Sequence, residues 1–173
     1  MKDKYNLSGI KPQKTKSRTN SRQKGAGFER KIAKILNETF NTKEFSRTPG
    51  SGAYATTHSL PEHLKIYGDL ITPKDFKFCI EAKKGYNKES LDSLFNNKSN
   101  LWSFINQTIR DAEKAKKEPL LIIQQDRQQI LALTNKNIFP NNLYNIEINT
   151  QEKTYSIYLF KDLLALSNSY WFI

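Results

Sequence analysis

Two acidic residues and a lysine are spaced so that one turn of the chain could bring them together. Asp69 lies in one predicted extended segment, and Glu81 and Lys83 lie in the next. Alternate residues of a strand face the same side, so Glu81 and Lys83 project together. Carboxylate oxygens suit a hard divalent ion such as Mg²⁺, and a neighbouring ammonium group can orient an attacking water. The pattern indicates metal-assisted hydrolysis of a phosphodiester, and its alternative is a solvated strand with a cross-strand ion pair.

A hairpin is predicted to position these three side chains. Residues 66–72 and 76–83 have the composition of two strands, and the segment Thr72-Pro73-Lys74-Asp75 supplies the turn between them. Folding the chain at this turn returns Asp69 to the neighbourhood of Glu81. Phe78, Ile80 and Ala82 would then pack behind the charged face.

An amphipathic helix upstream carries a third carboxylate. From Gly25 to Phe40, apolar residues recur at helical spacing. At about 100° per residue, Glu29 falls inside this apolar arc, toward one edge. A carboxylate that faces a core is costly unless a cation or hydrogen-bond donors meet it, so a metal site beneath the helix explains its presence. The alternative is that Glu29 only interacts with the helix dipole in the first turns.

The remaining elements predict an α/β fold with a central mixed β-sheet flanked by helices. Residues 47–54 are predicted to form a loop, because they are rich in glycine and proline, and a second helix is predicted from Leu101 to Lys117, with Ser99 or Asn100 as its cap and Pro119 after its end. Trp171 and Phe172 are expected to close the core or a dimer interface. Further strands are predicted at 120–125, 129–133 and 155–160, and a short helix at 162–166.

Charge is concentrated at the N-terminus. The chain of 173 residues has 28 Lys and Arg against 17 Asp and Glu, a formal net charge of +11. Residues 1–24 contain eight of these cations and one acid, with few large apolar residues, which predicts a flexible basic arm. A mobile basic segment gains affinity for nucleic acid by releasing counterions. A solubilising tail or an arm that docks on an acidic protein are the alternatives. Residues 25–173 are then expected to form a single domain.

Composition also argues against several classes of protein. The apolar runs fall far short of the ~20 residues of a membrane-spanning helix, and no apolar stretch follows the N-terminal lysines. One cysteine, Cys79, leaves no internal disulfide framework and is predicted to be a small core residue. We therefore expect a globular protein of a reducing compartment, the cytoplasm of a bacterial, archaeal or phage-infected cell.

Four ordered motifs resemble the PD-(D/E)XK nuclease superfamily, and within it the Holliday junction resolvases of archaea and related phages. The segment Lys24–Arg30 is similar to the opening of the resolvase first helix. Residues 47–52 (Arg-Thr-Pro-Gly-Ser-Gly) are similar to the family's Gly-Ser-Gly loop. Gly68-Asp69-Leu70 and Ile80-Glu81-Ala82-Lys83 match the Asp and Glu-x-Lys elements, although Gly68 stands where the superfamily name has proline.

The resemblance implies a restriction-endonuclease-like core and assigns roles to the candidate residues. Glu29, Asp69 and Glu81 would bind the metal, and Lys83 would be the catalytic lysine. It also implies Mg²⁺, for which Mn²⁺ would substitute, a homodimer that places two active sites on one branched DNA junction, and paired nicks across that junction.

Five further residues are candidates for contact with DNA. Arginine can hold a phosphate bidentately, and a serine in a glycine loop can donate to one; for each residue the alternative is an ordinary surface side chain. Gln107 falls at the edge of the second helix's apolar face, from which it could reach the site. Two rival functions remain open: a restriction or repair nuclease that cuts linear DNA, and a non-catalytic basic nucleic-acid-binding protein. The candidates are Lys24, Arg30, Arg47, Ser51 and Gln107.

Overall fold

The structure is a computed structural model that describes residues 21–49, 66–87, 89, 93–94, 99–150 and 153–173. It begins with helix α1, Ser21–Thr39, which buries Phe28, Ile32 and Leu36 together with Glu29. The predicted start at Gly25 was therefore four residues late, and the last four residues of the predicted arm lie on the helix. Residues 1–20 lie outside the described part of the chain, so the rest of the arm stays a prediction.

In the described residues, the chain forms a two-stranded ribbon and a five-stranded central sheet. The strands of the ribbon are β1 Ser46–Arg47 and β2 Leu70–Ile71, and those of the sheet are β3 Phe78–Lys84, β4 Glu118–Gln124, β5 Leu131–Asn135, β6 Asn145–Asn149 and β7 Thr154–Leu159. The ribbon pairs β1 with β2, and the strands of the sheet lie in the order β3-β4-β5-β7-β6. Strands β3 and β4 are parallel, and the other neighbours are antiparallel, so the sheet is mixed as predicted.

The predicted hairpin is wrong in its pairing, although the chain does turn where expected. The Phe76 amide donates to the Pro73 carbonyl across the turn at 3.2 Å. The strand before the turn is only two residues long, however, and it pairs with β1 instead of β3. The backbone link to β3 is a hydrogen bond from the Asp69 amide to the Ile80 carbonyl, at 2.8 Å. Asp69 therefore still reaches β3, but through a local contact at the edge of the sheet.

Helix α2, Asn100–Ala115, forms the crossover between the parallel strands β3 and β4. The Ser99 hydroxyl caps it by accepting from the Leu101 amide at 3.1 Å, as the sequence predicts. The helix ends at Lys116, which has a left-handed φ of 54°. Two apolar clusters result, one on the α1 side of the sheet and one on the α2 side.

The C-terminus closes the α1-side cluster. After the short helix α3, Phe160–Leu164, a 3₁₀ turn at Asn168–Tyr170 brings Trp171 into the core with no exposed surface. The predicted core position of Trp171 is thus confirmed, and Cys79 is also buried. In the described part of the chain, none of the helices is both long and apolar enough to cross a bilayer. The predicted α/β architecture, a mixed sheet flanked by helices, is confirmed.

Candidate active site

Glu81 and Lys83 lie side by side on the face of β3 that is turned toward α2. The Lys83 ammonium donates a hydrogen bond to Glu81 Oε1, and Gln107 Nε2 on α2 donates to the same oxygen at 2.7 Å. Glu81 is 1% exposed, and its second oxygen, Oε2, is buried without a hydrogen-bond partner among the described residues. A buried carboxylate oxygen without a donor is costly, which marks this position as one where a cation would be stabilised.

Asp69 is held against β3 by two hydrogen bonds, one of its backbone and one of its side chain. Its amide donates to the Ile80 carbonyl, and its Oδ2 accepts from the Ala82 amide at 2.9 Å. Gly68 makes this approach possible, because it has a φ of +78° and a Cβ there would lie 2.6 Å from the Ile80 oxygen. The Lys83 nitrogen is 4.0 Å from Asp69 Oδ2. The two carboxylates and the ammonium are therefore brought together, as the sequence predicts.

Glu29 approaches from α1 and is met by an arginine from β1. Glu29 is 7% exposed, and Arg47 Nε donates a hydrogen bond to its Oε2. Arg47 thus lies where a DNA contact was predicted, but its guanidinium group binds the Glu29 carboxylate. One cleft contains Glu29, Arg47, Asp69, Glu81, Lys83 and Gln107.

Of the other residues predicted to contact DNA, Lys24 and Gln107 lie at the cleft, whereas Arg30 and Ser51 are not placed there by the structure. Lys24 lines the same cleft and donates to Asp126 at 2.6 Å. Arg30 is exposed on α1. Ser51 lies outside the described residues, together with the rest of the glycine loop from Gly50 onward. Gln107, predicted at the edge of the apolar face, reaches the site through Glu81.

Burial and mutual repulsion shift the protonation equilibria of the acids. The pKa of Glu81 is raised to about 8, mainly by desolvation and next by the nearby Asp69 charge, against the opposing effect of Lys83. Burial, followed by Asp69, also raises the pKa of Glu29. For Lys83, burial lowers the pKa, but the charge and hydrogen bond of Glu81 outweigh it, so the net shift is upward. Lys83 is thereby kept as an ammonium group.

Comparison with known proteins identifies the family. Residues 20–170 match the family described as "Phage putative PDDEXK endonuclease". The chain belongs to this family. Protein D14 of Escherichia phage T5 is 34% identical over 130 residues, which are 71% of this chain and 76% of the phage protein. No solved structure matches. The matched family supports the PD-(D/E)XK superfamily predicted from the motifs, and the observed architecture is consistent with a restriction-endonuclease-like core.

Membership in this family of PD-(D/E)XK endonucleases indicates a nuclease, and such nucleases typically use divalent metals. The ligand chemistry fits such an ion, since Glu29, Asp69 and Glu81 all supply carboxylate oxygens, and no described residue donates a hydrogen bond to Glu81 Oε2. Across the described residues, however, no three acidic, His or Cys side chains are grouped closely enough to hold a metal as they stand. Arg47 occupies Oε2 of Glu29 and must yield for an ion to bind that oxygen, whereas Lys83 occupies only Oε1 of Glu81 and leaves Oε2 open.

Two charged residues near the cleft, Lys84 and Asp126, were not predicted from the sequence. Lys84 is the last residue of β3 and lines the cleft on the side of α1, with its ammonium 5.8 Å from the centre of the Phe28 ring. Strand alternation places Lys84 on the face opposite Lys83, and the candidate site was predicted on the face of Lys83. Asp126 follows β4 and belongs to none of the motifs recognised in the sequence.

The raised pKa of Glu81 predicts how stability depends on pH without metal. Between its ordinary value of 4.5 and about 8, the folded state binds more protons at this position than the unfolded state does. The contribution of Glu81 to the free energy of unfolding is thus largest below about pH 4.5 and is lost as the pH rises through about 8. In urea titrations with chelator from pH 5 to 9, wild type should lose more stability than Glu81→Gln. If the free energy of unfolding changed equally with pH in the two proteins, the raised pKa of Glu81 would be contradicted.

Proposed function

We propose that this protein is a Mg²⁺-dependent, structure-selective DNA endonuclease with the substrate preference of a Holliday junction resolvase. The observation that carries the proposal is the arrangement around Glu81, where Lys83 and Gln107 donate to one buried carboxylate and Lys83 also lies 4.0 Å from Asp69 Oδ2. The nuclease family of the chain supports hydrolysis of phosphodiesters. The resolvase resemblance of the motifs supports branched DNA as the substrate.

The three acids would hold the ion, with Asp69 and Glu81 at β3 and Glu29 on α1. A bound divalent cation neutralises charge that develops on a phosphodiester and lowers the pKa of a coordinated water. Mn²⁺ would substitute for Mg²⁺, because both prefer carboxylate and water oxygens. Before an ion binds, Lys83 and Arg47 provide the positive charge that makes burial of these carboxylates tolerable.

Lys83 and Gln107 would prepare the attacking water. The ammonium of Lys83 has three donors, and Glu81 and Asp69 face it from two directions. It can therefore donate to a water oxygen or to a phosphate oxygen without losing its position. Gln107 holds Glu81 Oε1 at 2.7 Å and so fixes the orientation of that carboxylate. In the reaction, a water oxygen bonds to phosphorus, one P–O ester bond breaks, and the leaving oxygen takes a proton.

Paired nicks require two copies of this centre, so we propose that a homodimer acts on the junction. Arg47 and Lys24 border the cleft, Arg30 is exposed on α1, and we assign these cations, with Ser51, to the DNA backbone. Arg47 would be available to a phosphate once a metal ion replaces it at Glu29.

The test is cleavage of a labelled four-way junction beside linear duplex and single strand of the same sequence, with Mg²⁺ and with chelator. Wild type should place symmetric nicks in the junction, and Glu81→Ala should not. Equal cleavage of linear duplex would retain the catalytic centre and overturn the resolvase assignment. Tight binding without Mg²⁺-dependent cutting of any of these substrates would favour a non-catalytic nucleic-acid-binding protein.

The basic arm is predicted to add affinity without contributing to catalysis. Residues 1–20 carry six Lys and Arg against one Asp, and α1 begins after them. Deleting residues 1–20 should weaken DNA binding and flatten the dependence of log Kd on log salt, because fewer counterions are released. Cleavage at saturating DNA should persist. Loss of cleavage under those conditions would show that the arm belongs to the catalytic fold.

A further inference from the structure

Two lysines bring their ammonium groups to one end of the active-site cleft. Lys24 lies near the start of α1, Lys84 ends β3, and both line the cleft that contains Glu81 and Lys83. The carboxylate of Asp126 lies between them. Its Oδ2 is 2.6 Å from the Lys24 nitrogen, and its Oδ1 is 3.8 Å from the Lys84 nitrogen. The two cations thus share one anion.

The carboxylate is held at this position by further polar contacts. Asn87 Nδ2 donates to Asp126 Oδ2 at 2.8 Å, and the Asp126 amide donates to Asn87 Oδ1 at 2.9 Å. Lysine and amide donors converge on an oxygen in the way that they surround a phosphate oxygen. The Asp126 side chain is 40% exposed and sits in the turn after β4, beside Arg127 with its left-handed φ of 64°. An anion from solvent can therefore reach the same donors.

Positive charge exceeds negative charge at this end of the cleft. Burial lowers the pKa of Lys84, attraction to Asp126 opposes this, and repulsion from Lys31 and Lys24 lowers it further. The Asp126 carboxylate pairs with Lys24 and Lys84, and Lys31 adds a further positive charge near Lys84. A phosphodiester has the same single negative charge as a carboxylate and likewise offers two oxygens to ammonium donors, so it can take the place of Asp126 beside them.

The backbone is shaped to keep both lysines in place. Gly85 has a φ of +96°, a conformation that favours glycine, and this turn directly after β3 lies beside Lys24, whose nitrogen would be 3.5 Å from a Cβ built there. Lys84 donates to Gln124 Oε1 at 2.9 Å, and its ammonium lies against the Phe28 ring. The side chain of Lys84 is only 18% exposed, so its direction is set by packing. A freely rotating surface lysine would be more exposed and would lack these contacts with Gln124 and Phe28.

We propose that Lys24 and Lys84 form a subsite for a backbone phosphate of the DNA strand in the cleft, and that Asp126 occupies it as an internal anion that the phosphate displaces. The proposal rests on the function given above, because it assumes that DNA enters this cleft. Asp126 thereby weakens DNA binding, and its removal exposes two preorganised cations. The carboxylate restricts tight binding to DNA that engages the rest of the cleft at the same time.

The test measures binding of a fluorescein-labelled four-way DNA junction by anisotropy, with chelator present so that no cleavage occurs. Asp126→Asn should lower Kd about fivefold, because the subsite no longer has a competing charge. Glu147→Gln is the matched control. It removes the same charge from the Lys136–Glu147 pair, which is 40% and 39% exposed and involves β6, at the opposite edge of the sheet from β3. The control should change Kd less than twofold.

Lys84→Gln provides a second, independent measurement. It should weaken binding, lower the slope of log Kd against log salt by about one, and remove most of the gain from Asp126→Asn in the double variant. Unchanged or weaker binding by Asp126→Asn, or an equal gain from Glu147→Gln, would overturn the subsite.

The two proposals fail separately in these experiments. If wild type cleaves DNA with Mg²⁺ but Asp126→Asn does not change Kd, the phosphate subsite is refuted and the nuclease assignment stands. The predicted affinity changes without cleavage of any substrate would keep a phosphate subsite in a binding protein and remove the nuclease.

Discussion

Glu81→Gln is expected to abolish metal-dependent DNA cleavage, with a loss of about a thousandfold or more. Glutamine keeps the size of the side chain but replaces a charged ligand by a neutral amide, which binds a hard divalent cation far more weakly. It also removes the anionic partner of Lys83, whose ammonium is hydrogen-bonded to Glu81. The measurement is the single-turnover cleavage rate at saturating DNA and Mg²⁺, so that binding does not enter the result.

Two controls make this loss specific to the site. Glu118→Gln is the same substitution at the start of β4, in a carboxylate that binds Asn135 at 2.8 Å and lies opposite Phe78 at the far end of β3. It should retain cleavage. DNA binding by Glu81→Gln should be equal to that of wild type or tighter, because a negative charge leaves a cleft that receives phosphates. Cleavage by Glu81→Gln at a rate near that of wild type would place the catalytic centre elsewhere.

The second large effect concerns stability. Trp171→Ala is expected to lower the free energy of unfolding by about 3–5 kcal/mol, through lost burial and the cavity left behind. Trp171 has no exposed surface, and its ring lies 5.2–5.9 Å from the rings of Phe40, Phe76, Phe78 and Phe139. Urea titration should show a lower midpoint with an unchanged slope.

Trp171→Phe separates packing from hydrogen bonding at this position. The indole Nε1 is buried without a hydrogen-bond partner in the described residues, so phenylalanine keeps an aromatic ring and removes an unsatisfied donor. Its cost should be well below that of alanine. Tyr144→Ala, at a side chain that is 94% exposed, should leave the midpoint unchanged. A loss below about 1 kcal/mol for Trp171→Ala would contradict the central place of this residue in the core.

The placement of the three acids and Lys83 was predictable because it depends on local patterns. Strand alternation alone places Glu81 and Lys83 on one face, and helical periodicity alone turns Glu29 toward the core. The interactions of Arg47 and Lys24 were not predictable, since their carboxylate partners are distant in sequence: Glu29 and Asp126. A single sequence does not distinguish a cation on the surface from a cation that pairs with a buried acid.

The errors in the fold arise where tertiary contacts override local signals. Residues 66–72 have the composition of a strand, yet β2 has two residues because Gly68 turns the chain toward Ile80. Strand β6, Asn145–Asn149, was missed because its asparagines indicate a loop, although Ile146 and Ile148 alternate as in a strand. Antiparallel pairing with β7 supplies the backbone hydrogen bonds that stabilise β6.

A crystal of the protein grown with Mn²⁺ tests directly whether these acids form a divalent-metal nuclease centre. Anomalous scattering locates Mn²⁺ directly, whatever the substrate. We expect a peak bound by oxygens of Asp69 and Glu81, at about 2.0–2.5 Å, with Glu29 beside it and Arg47 displaced from Glu29. Crystals of Glu81→Gln should lack that peak. A wild-type map with no peak in the cleft at millimolar Mn²⁺, and with the Arg47–Glu29 pair intact, would contradict the assignment.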